Sequence, residues 1–302
     1  MGEKIDMPCY GPLTAYYPKR GSNDRRLVFK IQDAETGIPI KIPCGKCVGC
    51  RLEQSRQWAV RCMHEKRLHT HSAFLTLTYA NMPPGNSLQL ADYQNFLKRL
   101  RNHYPTGLRF FGCGEYGSNT ARPHYHLLLL NQDLFDKKLV TSGPEYNLYE
   151  SKLLSKLWPH GHHAIGDVSF QSAAYVARYC TKKNQNGKTV NDTRSPEFVT
   201  MSRRPGLGTG YFDKYSAELL AHDTIIINGV PAALPRFYDG KIANIPGFVE
   251  TRDGHLLSRM ELIKFRRRRK IPFLQKMDNG TTRLRVREVV ALAKLNLKKR
   301  SL

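Results

Sequence analysis

Residues 108–131 read LRFFGCGEYGSNTARPHYHLLLLN and lie at the centre of the predicted domain. Its two apolar segments, Leu108–Gly112 and Leu127–Leu130, predict strands. The Gly, Ser, Asn and Pro residues between them predict the turn of a hairpin. Successive side chains of a strand point to opposite faces, so His124 and His126 should lie on one face of the second strand.

A carboxylate in the same hairpin completes a candidate metal site. If the strands pair antiparallel with Glu115 opposite His124, Glu115 lies on the face that carries both histidines. Two imidazoles and a carboxylate at a strand end can bind a divalent cation, Mg²⁺ or Mn²⁺, and leave positions open for substrate oxygens. The alternative is a polar strand face on which the histidines only make hydrogen bonds.

The segments around the hairpin predict an α+β domain. Their periodicities indicate, in order, a strand, a helix, the hairpin, a helix, a strand and a third helix. This order favours an antiparallel sheet with helices on one face. The predicted elements are a strand at Phe74–Tyr79, helices at Leu88–Tyr104 and Tyr149–Trp158, a strand at His163–Phe170 and a helix from Gln171. The first 40 residues are rich in Pro and Gly and predict loops, with a hairpin around Leu27–Ile40.

Seven cysteines, three of them in the motif Cys44-Gly-Lys-Cys47-Val-Gly-Cys50, indicate a reducing compartment and a metal site. Glycines in the motif let the backbone bend around a small centre. A structural Zn²⁺ with tetrahedral geometry needs a fourth ligand, for which Cys9 is the first candidate.

Other interpretations of the cysteines stay open. Cys62 belongs to an amphipathic stretch, Leu52–Leu68, and should lie on its buried face, whereas His64 is an alternative ligand. The spacing also occurs around iron–sulfur clusters, but the fourth Cys followed by Pro is absent. Reduced free thiols are the remaining interpretation.

The third helix carries candidate nucleophiles. Tyr175, Tyr179 and Lys182 project from nearly the same side of a 3.6-residue helix, and small apolar residues cover the other side. Tyrosines at this spacing commonly pack in a core. A phenol with an ordinary pKa of about 10 needs a nearby cation to act as a nucleophile, and Lys182 and the metal could supply it.

The charge balance indicates a polyanionic partner. The 302 residues carry 48 Lys and Arg against 25 Asp and Glu, a net charge of +23. Residues 259–302 hold 15 Lys and Arg and three Asp and Glu. A charge run of this density indicates either a phosphate-binding arm or a solvated surface or tail. No apolar run reaches the roughly 20 residues of a membrane span, and the N-terminal residues show no signal-peptide pattern. We therefore expect no membrane partner and a cytoplasmic protein.

Several motifs together resemble the HUH endonucleases that initiate rolling-circle replication. FLTLTY, HYH and Tyr-x3-Tyr-x2-Lys occur in that order. The blocks PCGKCVGCRLEQSRQWAVRCMHE, RFFGCGEYG, RPHYH, AAYVARYCTKK and VTMSRRPGLG are similar to the gokushovirus branch of the microviruses, which are small circular single-stranded DNA bacteriophages. They are spread over most of residues 40–210.

The resemblance implies an RRM-like nuclease core that cuts one strand at the replication origin, joins the 5′ phosphate to a tyrosine and later rejoins the strand into a circle. It implies single-stranded origin DNA as substrate, a host DNA polymerase and helicase as partners, and the bacterial cytoplasm as location. It also implies the roles of six residues: metal ligands Glu115, His124 and His126, paired nucleophiles Tyr175 and Tyr179, and the neighbouring Lys182.

We expect three regions: a Cys-rich, zinc-binding region at 1–70, the HUH endonuclease core at 71–190 and a basic DNA-binding extension at 191–302. Three groups of residues are candidate DNA contacts: two threonines of a strand, two arginines of a Ser-Arg-Arg-Pro-Gly loop and a run of arginines near the C-terminus. They are Thr76, Thr78, Arg203, Arg204, Arg266, Arg267, Arg268 and Arg269. The threonines could instead be ordinary strand formers, and the loop arginines could simply be exposed.

Two other functions remain open. The chain could be a non-catalytic zinc-containing DNA-binding protein, which would not need paired tyrosines facing a metal site. It could also be a plasmid or transposon HUH initiator, since the reaction would be the same.

Overall fold

The structure is a computed structural model that describes residues 9–19, 21, 27–117, 120–143, 147–182, 193–222, 224–227, 229–245, 248–250, 256–258, 261, 277–278 and 281–299. The helices in this part of the chain are α1 Val48–Lys66, α2 Leu90–His103, α3 Lys152–Leu157, α4 Phe170–Lys182, α5 Thr209–His222, α6 Arg236–Ala243 and α7 Arg283–Lys299. The strands are β1 Leu13–Ala15, β2 Ile40–Ile42, β3 Ala73–Thr78, β4 Phe110–Tyr116, β5 Pro123–Leu129, β6 Lys138–Ser142, β7 Asn147–Glu150, β8 His163–Gly166, β9 Phe198–Met201, β10 Thr224–Ile227, β11 Val230–Ala233, β12 Phe248–Glu250, β13 Leu256–Ser258, β14 Met277–Asp278 and β15 Thr281–Thr282.

The central element is a seven-stranded antiparallel sheet with the order β6-β7-β8-β3-β5-β4-β9. It confirms the predicted α+β class. The hairpin β4–β5 lies next to β3, and its register pairs Glu115 with His124, as predicted. Both arms extend further towards the turn than the apolar pattern indicated, so these two residues belong to strands.

Helices cover both faces of this sheet, and the prediction of helices on one face was wrong. On one face α2 and α3 pack against Leu75, Leu77 and Leu127. On the other face α1 and α4 pack against Phe111 and Leu128. Strand residues of opposite parity therefore enter two separate cores, which accounts for the almost continuous burial of β4 and β5.

Helix α2 follows directly from its sequence. Tyr93, Phe96, Leu97 and Leu100 recur at helical spacing and are all buried, and exposed polar residues occupy the opposite side. The predicted range differs from the observed one by one or two residues at each end.

Three other segments differ from their predictions. Helix α3 is shorter than predicted, because Tyr149 lies in strand β7, which pairs with the unpredicted strand β6. The hairpin expected around Leu27–Ile40 does not form; Ile40 instead pairs with Ala15 of β1. Helix α1 begins four residues before the predicted start, at Val48 within the cysteine motif.

The chain divides into two compact units, residues 1–53 with 222–302 and residues 54–221. The sheet belongs to the second unit, and the pairs β1–β2 and β10–β11 belong to the first, as does α7. The three regions anticipated from the sequence stay a prediction. Among the helices that the structure describes, none combines the length and the apolar character needed to cross a bilayer.

Candidate active site

The candidate site lies on the α1/α4 side of the sheet, where three neighbouring strands carry polar side chains on one face. In β5, His124 and His126 alternate with the buried Tyr125. Glu115 on β4 is opposite His124, and Thr76 on β3 is opposite His126. The period of two thus brings four polar side chains to one place inside an otherwise apolar face.

Three side chains converge on a single oxygen of Glu115. His124 Nε2, His126 Nε2 and the Tyr175 hydroxyl each lie 2.9 Å from Glu115 Oε1. The ligand atoms of Glu115, His124 and His126 lie within 4.8 Å of one another. Glu115 is only 1% exposed, so its carboxylate depends on these partners for compensation of its lost hydration.

The other nitrogen of each imidazole is held by a neighbour. His124 Nδ1 lies 3.1 Å from the Arg122 carbonyl oxygen, and His126 Nδ1 lies 3.1 Å from Thr76 Oγ1. With a metal ion bound, a proton on each Nδ1 would satisfy both contacts and leave the Nε2 lone pairs to coordinate the ion. Hydrogen bonds of this kind orient the imidazole ligands of metal sites.

The environments of the two histidines shift their pKa values in opposite directions. Burial lowers the pKa of His126 and favours the neutral imidazole that a metal requires. Burial also acts to lower the pKa of His124, but the hydrogen bonds to Glu115 and the Arg122 carbonyl outweigh it and raise that pKa.

These residues fit a divalent cation. His126 Nε2 is buried and, although it lies close to Glu115 Oε1, makes no hydrogen bond of acceptable geometry with any described group. A buried polar atom without a hydrogen bond is costly, and coordination would satisfy it. Two nitrogens and a carboxylate would hold the ion and leave further positions for substrate oxygens, a donor set that suits Mn²⁺ and tolerates Mg²⁺.

Tyr175 projects from α4 towards the three ligands. Ala173, Val176 and Ala177 of this helix are fully buried against the sheet, as its sequence pattern predicted. That packing directs Tyr175 to the site, where its ring lies edge-on to His126 with 5.2 Å between the ring centroids.

Tyr179 and Lys182 follow Tyr175 by about one and two turns in the same helix, and their side chains lie outside the described part. The sequence interpretation missed Arg178. Its guanidinium carbon lies 5.8 Å from the centroid of the Tyr175 ring, and the spacing of three residues in a helix was the signal that could have found it.

Of the candidate DNA contacts, the two threonines make hydrogen bonds within the protein, and the two loop arginines are exposed. Thr76 holds His126, and the Thr78 hydroxyl donates to the His162 carbonyl oxygen at 3.3 Å. Arg203 and Arg204 are both exposed, next to the Arg203–Gly206 bridge. The predicted contacts Arg266, Arg267, Arg268 and Arg269 lie outside the described residues.

In the first unit, Cys9, Cys44, Cys47 and Cys50 form a second group of ligand atoms within 4.8 Å of one another. Cys62 is fully buried in the sheet core, as predicted. The alternative fourth ligand, His64, stacks on Tyr211 with 3.9 Å between centroids, and the group around the cysteine motif does not include it.

The sequence is similar to replication proteins of small phages. Residues 72–184 match the family described as replication-associated protein ORF2/G2P. The chain is 35% identical over 245 residues to the replication-associated protein VP4 of Bdellovibrio phage phiMH2K. This alignment covers 77% of the chain and 76% of the relative. It is 33% identical over 263 residues to the replication-associated protein ORF2 of Spiroplasma virus 4, with 78% and 80% covered.

A third relative, the replication-associated protein ORF4 of Chlamydia phage 1, is 31% identical over 212 residues, which cover 65% of this chain and 52% of the relative. No solved structure matches the chain.

Proposed function

Since the chain belongs to the family of microvirus replication-associated proteins, we propose that it is a rolling-circle initiator that nicks single-stranded DNA at the phage origin. One observation carries the proposal: the Tyr175 hydroxyl and the Nε2 atoms of His124 and His126 all lie 2.9 Å from Glu115 Oε1. The hydroxyl of a potential nucleophile thus lies beside three residues that could hold a divalent metal, and cleavage of a phosphodiester can use both.

The residues of the site have different roles in strand cleavage. Glu115, His124 and His126 would hold Mg²⁺ or Mn²⁺, which supplies polarisation of the scissile phosphate and stabilisation of its developing negative charge. Thr76 and the Arg122 carbonyl orient the two imidazoles.

The attack itself uses the phenol of Tyr175. Its proton leaves along the hydrogen bond to Glu115, its oxygen forms a bond to phosphorus, and the bond from phosphorus to the 3′ oxygen breaks. The 3′ oxygen takes up a proton and becomes a hydroxyl that a host polymerase can extend. The 5′ phosphate stays linked to tyrosine, and this ester conserves the energy of the broken bond.

The conserved bond energy allows rejoining without a nucleotide cofactor. After one round of synthesis Tyr179 would cleave the regenerated origin, and the released 3′ hydroxyl would attack the first phosphotyrosine and close the strand into a circle. The spacing of four residues in α4 supports this role, because side chains at i and i+4 share one side of a helix. Lys182, and Arg178 beside the Tyr175 ring, would favour the phenolate.

The partners follow from the reaction. Single-stranded origin DNA is the substrate, a host helicase opens the duplex, and a host DNA polymerase extends the free end. The net charge of +23 favours binding of the polyanion, and the bacterial cytoplasm is where such a reaction would occur. The exposed Arg203 and Arg204 are candidate phosphate contacts.

A second candidate is a non-catalytic DNA-binding protein that contains zinc. The four clustered cysteines and the strongly basic residues 259–302 favour it. It gives no reason, however, for a tyrosine hydroxyl directed at a buried carboxylate between two histidines. A plasmid or transposon initiator would use the same site chemistry, and the similarity to phage proteins disfavours it.

The test is covalent capture of DNA. Purified protein is incubated with Mn²⁺ and end-labelled single-stranded oligonucleotides that tile the phage genome, and SDS gels report adducts that survive heating. We expect an adduct with the origin oligonucleotide, its loss with EDTA or His126→Ala, and strong reduction with Tyr175→Phe. Tyr149→Phe, which alters a tyrosine on β7, is the control and should leave the adduct intact. Tight binding of one oligonucleotide without any adduct, in any divalent metal, would favour the binding protein.

A further inference from the structure

Cys9 precedes the motif Cys44–Cys50 by 35 residues in the sequence, and the four cysteines lie together at the start of α1. Cys9 precedes β1, Cys44 and Cys47 lie in the turn after β2, and Cys50 is in the first turn of α1. Their Sγ atoms all lie within 4.8 Å of one another, and those of Cys44 and Cys50 are 3.9 Å apart. All four are free thiols, and Cys9 is only 4% exposed.

The spacing of the sulfur atoms is compatible with tetrahedral thiolate coordination, since all lie within 4.8 Å of one another and one pair is 3.9 Å apart. With zinc–sulfur bonds of about 2.3 Å, the sulfurs of a tetrahedral site are roughly 3.8 Å apart. Four protein ligands leave no position for water or substrate, which is the arrangement of a structural and not a catalytic metal. The four cysteines thereby differ from Glu115, His124 and His126, whose three nitrogen and oxygen ligands would leave coordination positions for substrate.

Backbone N–H groups are directed at the sulfur atoms. Tyr10 N–H donates to Cys47 Sγ at 3.3 Å, and Cys44 N–H donates to Cys9 Sγ at 3.2 Å. The N–H groups of Cys47 and Cys50 donate to Cys44 Sγ at 3.3 Å and Cys47 Sγ at 3.4 Å. Donors that surround sulfur in this way stabilise thiolates, and neutral buried thiols would not require them.

A glycine allows the turn between the first two ligands of the motif. Gly45 has φ of +75°, a left-handed conformation that a residue with Cβ adopts only with strain. This conformation folds the chain back so that the Cys47 N–H reaches the Cys44 sulfur.

We propose that Cys9, Cys44, Cys47 and Cys50 bind one structural Zn²⁺, which fastens the N-terminal segment to the start of α1. Soft thiolate ligands in a closed tetrahedron favour Zn²⁺ over the hard cations Mg²⁺ and Ca²⁺. Binding would release the thiol protons, since only thiolates coordinate zinc.

The ion would stabilise contacts that are weak by themselves. The β1–β2 ladder has three residue pairs, Leu13 with Ile42 to Ala15 with Ile40, and so short a ribbon is marginal in water. At the same helix start, Val48 N–H donates to Glu288 Oε1 of α7 at 3.2 Å, and both groups are buried. The zinc site would therefore also fix the surface on which the basic helix α7 packs.

The first test measures metal in the full-length protein. Protein purified from medium that contains both zinc and iron is analysed by plasma mass spectrometry, and Co²⁺ is then exchanged into it. We expect about one Zn²⁺ per chain and, with Co²⁺, the intense sulfur charge-transfer absorption of tetrahedral thiolate coordination. Stoichiometric iron would overturn the assignment to zinc, and a folded protein that binds neither Zn²⁺ nor Co²⁺ would overturn the site itself.

Two variants then identify the ligands. Cys9→Ser should lower the zinc affinity at least about tenfold, whereas Cys62→Ala, which removes a buried thiol outside the group, should keep the wild-type affinity. Unchanged affinity of Cys9→Ser would contradict the proposed ligand set.

Hydrogen exchange on the wild-type protein provides a readout that survives if Cys9→Ser fails to fold. Removal of zinc with a chelator should speed amide exchange in residues 9–53 and 283–299, and exchange in β3, β4 and β5 should stay unchanged. If the exchange rates of residues 9–53 and 283–299 are the same with and without zinc, the ion has no structural role. Because strand cleavage does not enter these measurements, they stand or fall independently of the proposed function.

Discussion

Glu115 is a buried carboxylate whose nearest partners are two imidazoles and a phenol. A buried charge is expensive unless its neighbours compensate for the lost water, and an apolar side chain at this position of β4 would pack at lower cost. A cation bound by Glu115, His124 and His126 would supply that compensation.

Thr76 should act on the metal through His126. Its hydroxyl accepts a hydrogen bond from Nδ1 when Nε2 is the metal ligand, so Thr76→Val should loosen the ring. We expect the Mn²⁺ concentration for half-maximal DNA cleavage to rise at least about tenfold. Thr76→Ser should restore the wild-type value, and Thr141→Val, at an exposed position of β6, is the control. An unchanged Mn²⁺ requirement would show that Thr76 does not position the ligand.

His64 should make the protein sensitive to acid. Burial against Tyr211, with a smaller contribution from Arg67, lowers the pKa of His64 from 6.5 to about 4. Between these values the unfolded chain takes up a proton that the folded chain does not, so stability falls as the pH decreases. The loss for this residue is at most about 3 kcal/mol.

Urea unfolding as a function of pH measures the effect. His64→Phe keeps an aromatic ring on Tyr211 and should flatten the decline in unfolding free energy between pH 6.5 and 4. His103→Gln, at the exposed end of α2, should keep the wild-type slope. If the unfolding free energy of His64→Phe declines with decreasing pH as steeply as that of the wild type, the burial of His64 does not determine acid stability.

The sequence predicted the strand residues of the site better than their surroundings. A period of two places His124 and His126 on one face in any strand, and the antiparallel register assumed for the hairpin, with Glu115 opposite His124, is the observed one. The Thr76 hydrogen bond and the position of Arg178 depend on how β3 and α4 pack against β5, which no local pattern specifies.

At the scale of elements, β4 is adapted to close packing by its glycines. A Cβ at Gly112 would lie 2.4 Å from the Tyr93 hydroxyl and 2.8 Å from the His126 carbonyl oxygen. Tyr93 is fully buried and cannot move aside, and the carbonyl belongs to the strand that carries the candidate metal ligands.

Gly112→Ala should therefore destabilise the protein by about 1–3 kcal/mol or more. The matched control is Gly166→Ala in β8 of the same sheet, where the nearest atom, Phe74 Cδ1, would lie at an ordinary 3.8 Å. Urea denaturation of both variants should give a much lower midpoint for Gly112→Ala than for Gly166→Ala. Similar midpoints would mean that the β4–β5 pairing adjusts easily.

Elements with a strong period were predicted well, and elements without one were missed. Helix α2 has four buried residues at helical spacing, whereas every residue of β6 is exposed and gives no alternation. The second layer of helices was missed for a different reason. Helix α1 has a strong pattern, but only tertiary packing decides which face of the sheet it covers.

At the scale of the whole molecule, the net charge of +23 should make DNA binding strongly dependent on salt. Exposed Arg287 and Lys294 of α7 line, with Tyr10, a cavity of about 470 Å³ and are candidates for backbone contacts. Changing both to Ala should reduce the slope of log affinity against log salt concentration by about 1.4, at about 0.7 for each single-strand phosphate contact.

Fluorescence anisotropy with a labelled oligonucleotide of mixed sequence gives this slope. The control removes two exposed lysines of the sheet unit, Lys138 and Lys156, and lowers the net charge equally. Equal slopes for the two double variants would mean that overall charge, and not the surface of α7, determines binding.

Peptide mapping of the covalent adduct would show whether Tyr175 or Tyr179 is the nucleophile of strand cleavage. Adduct formed with Mn²⁺ and origin DNA is digested with nuclease and trypsin, and mass spectrometry locates the residual nucleotide. Our account predicts a 5′-linked nucleotide on Tyr175 or Tyr179 and on no other residue. A nucleotide on a residue outside α4, or cleaved DNA with no protein linkage at all, would contradict the account.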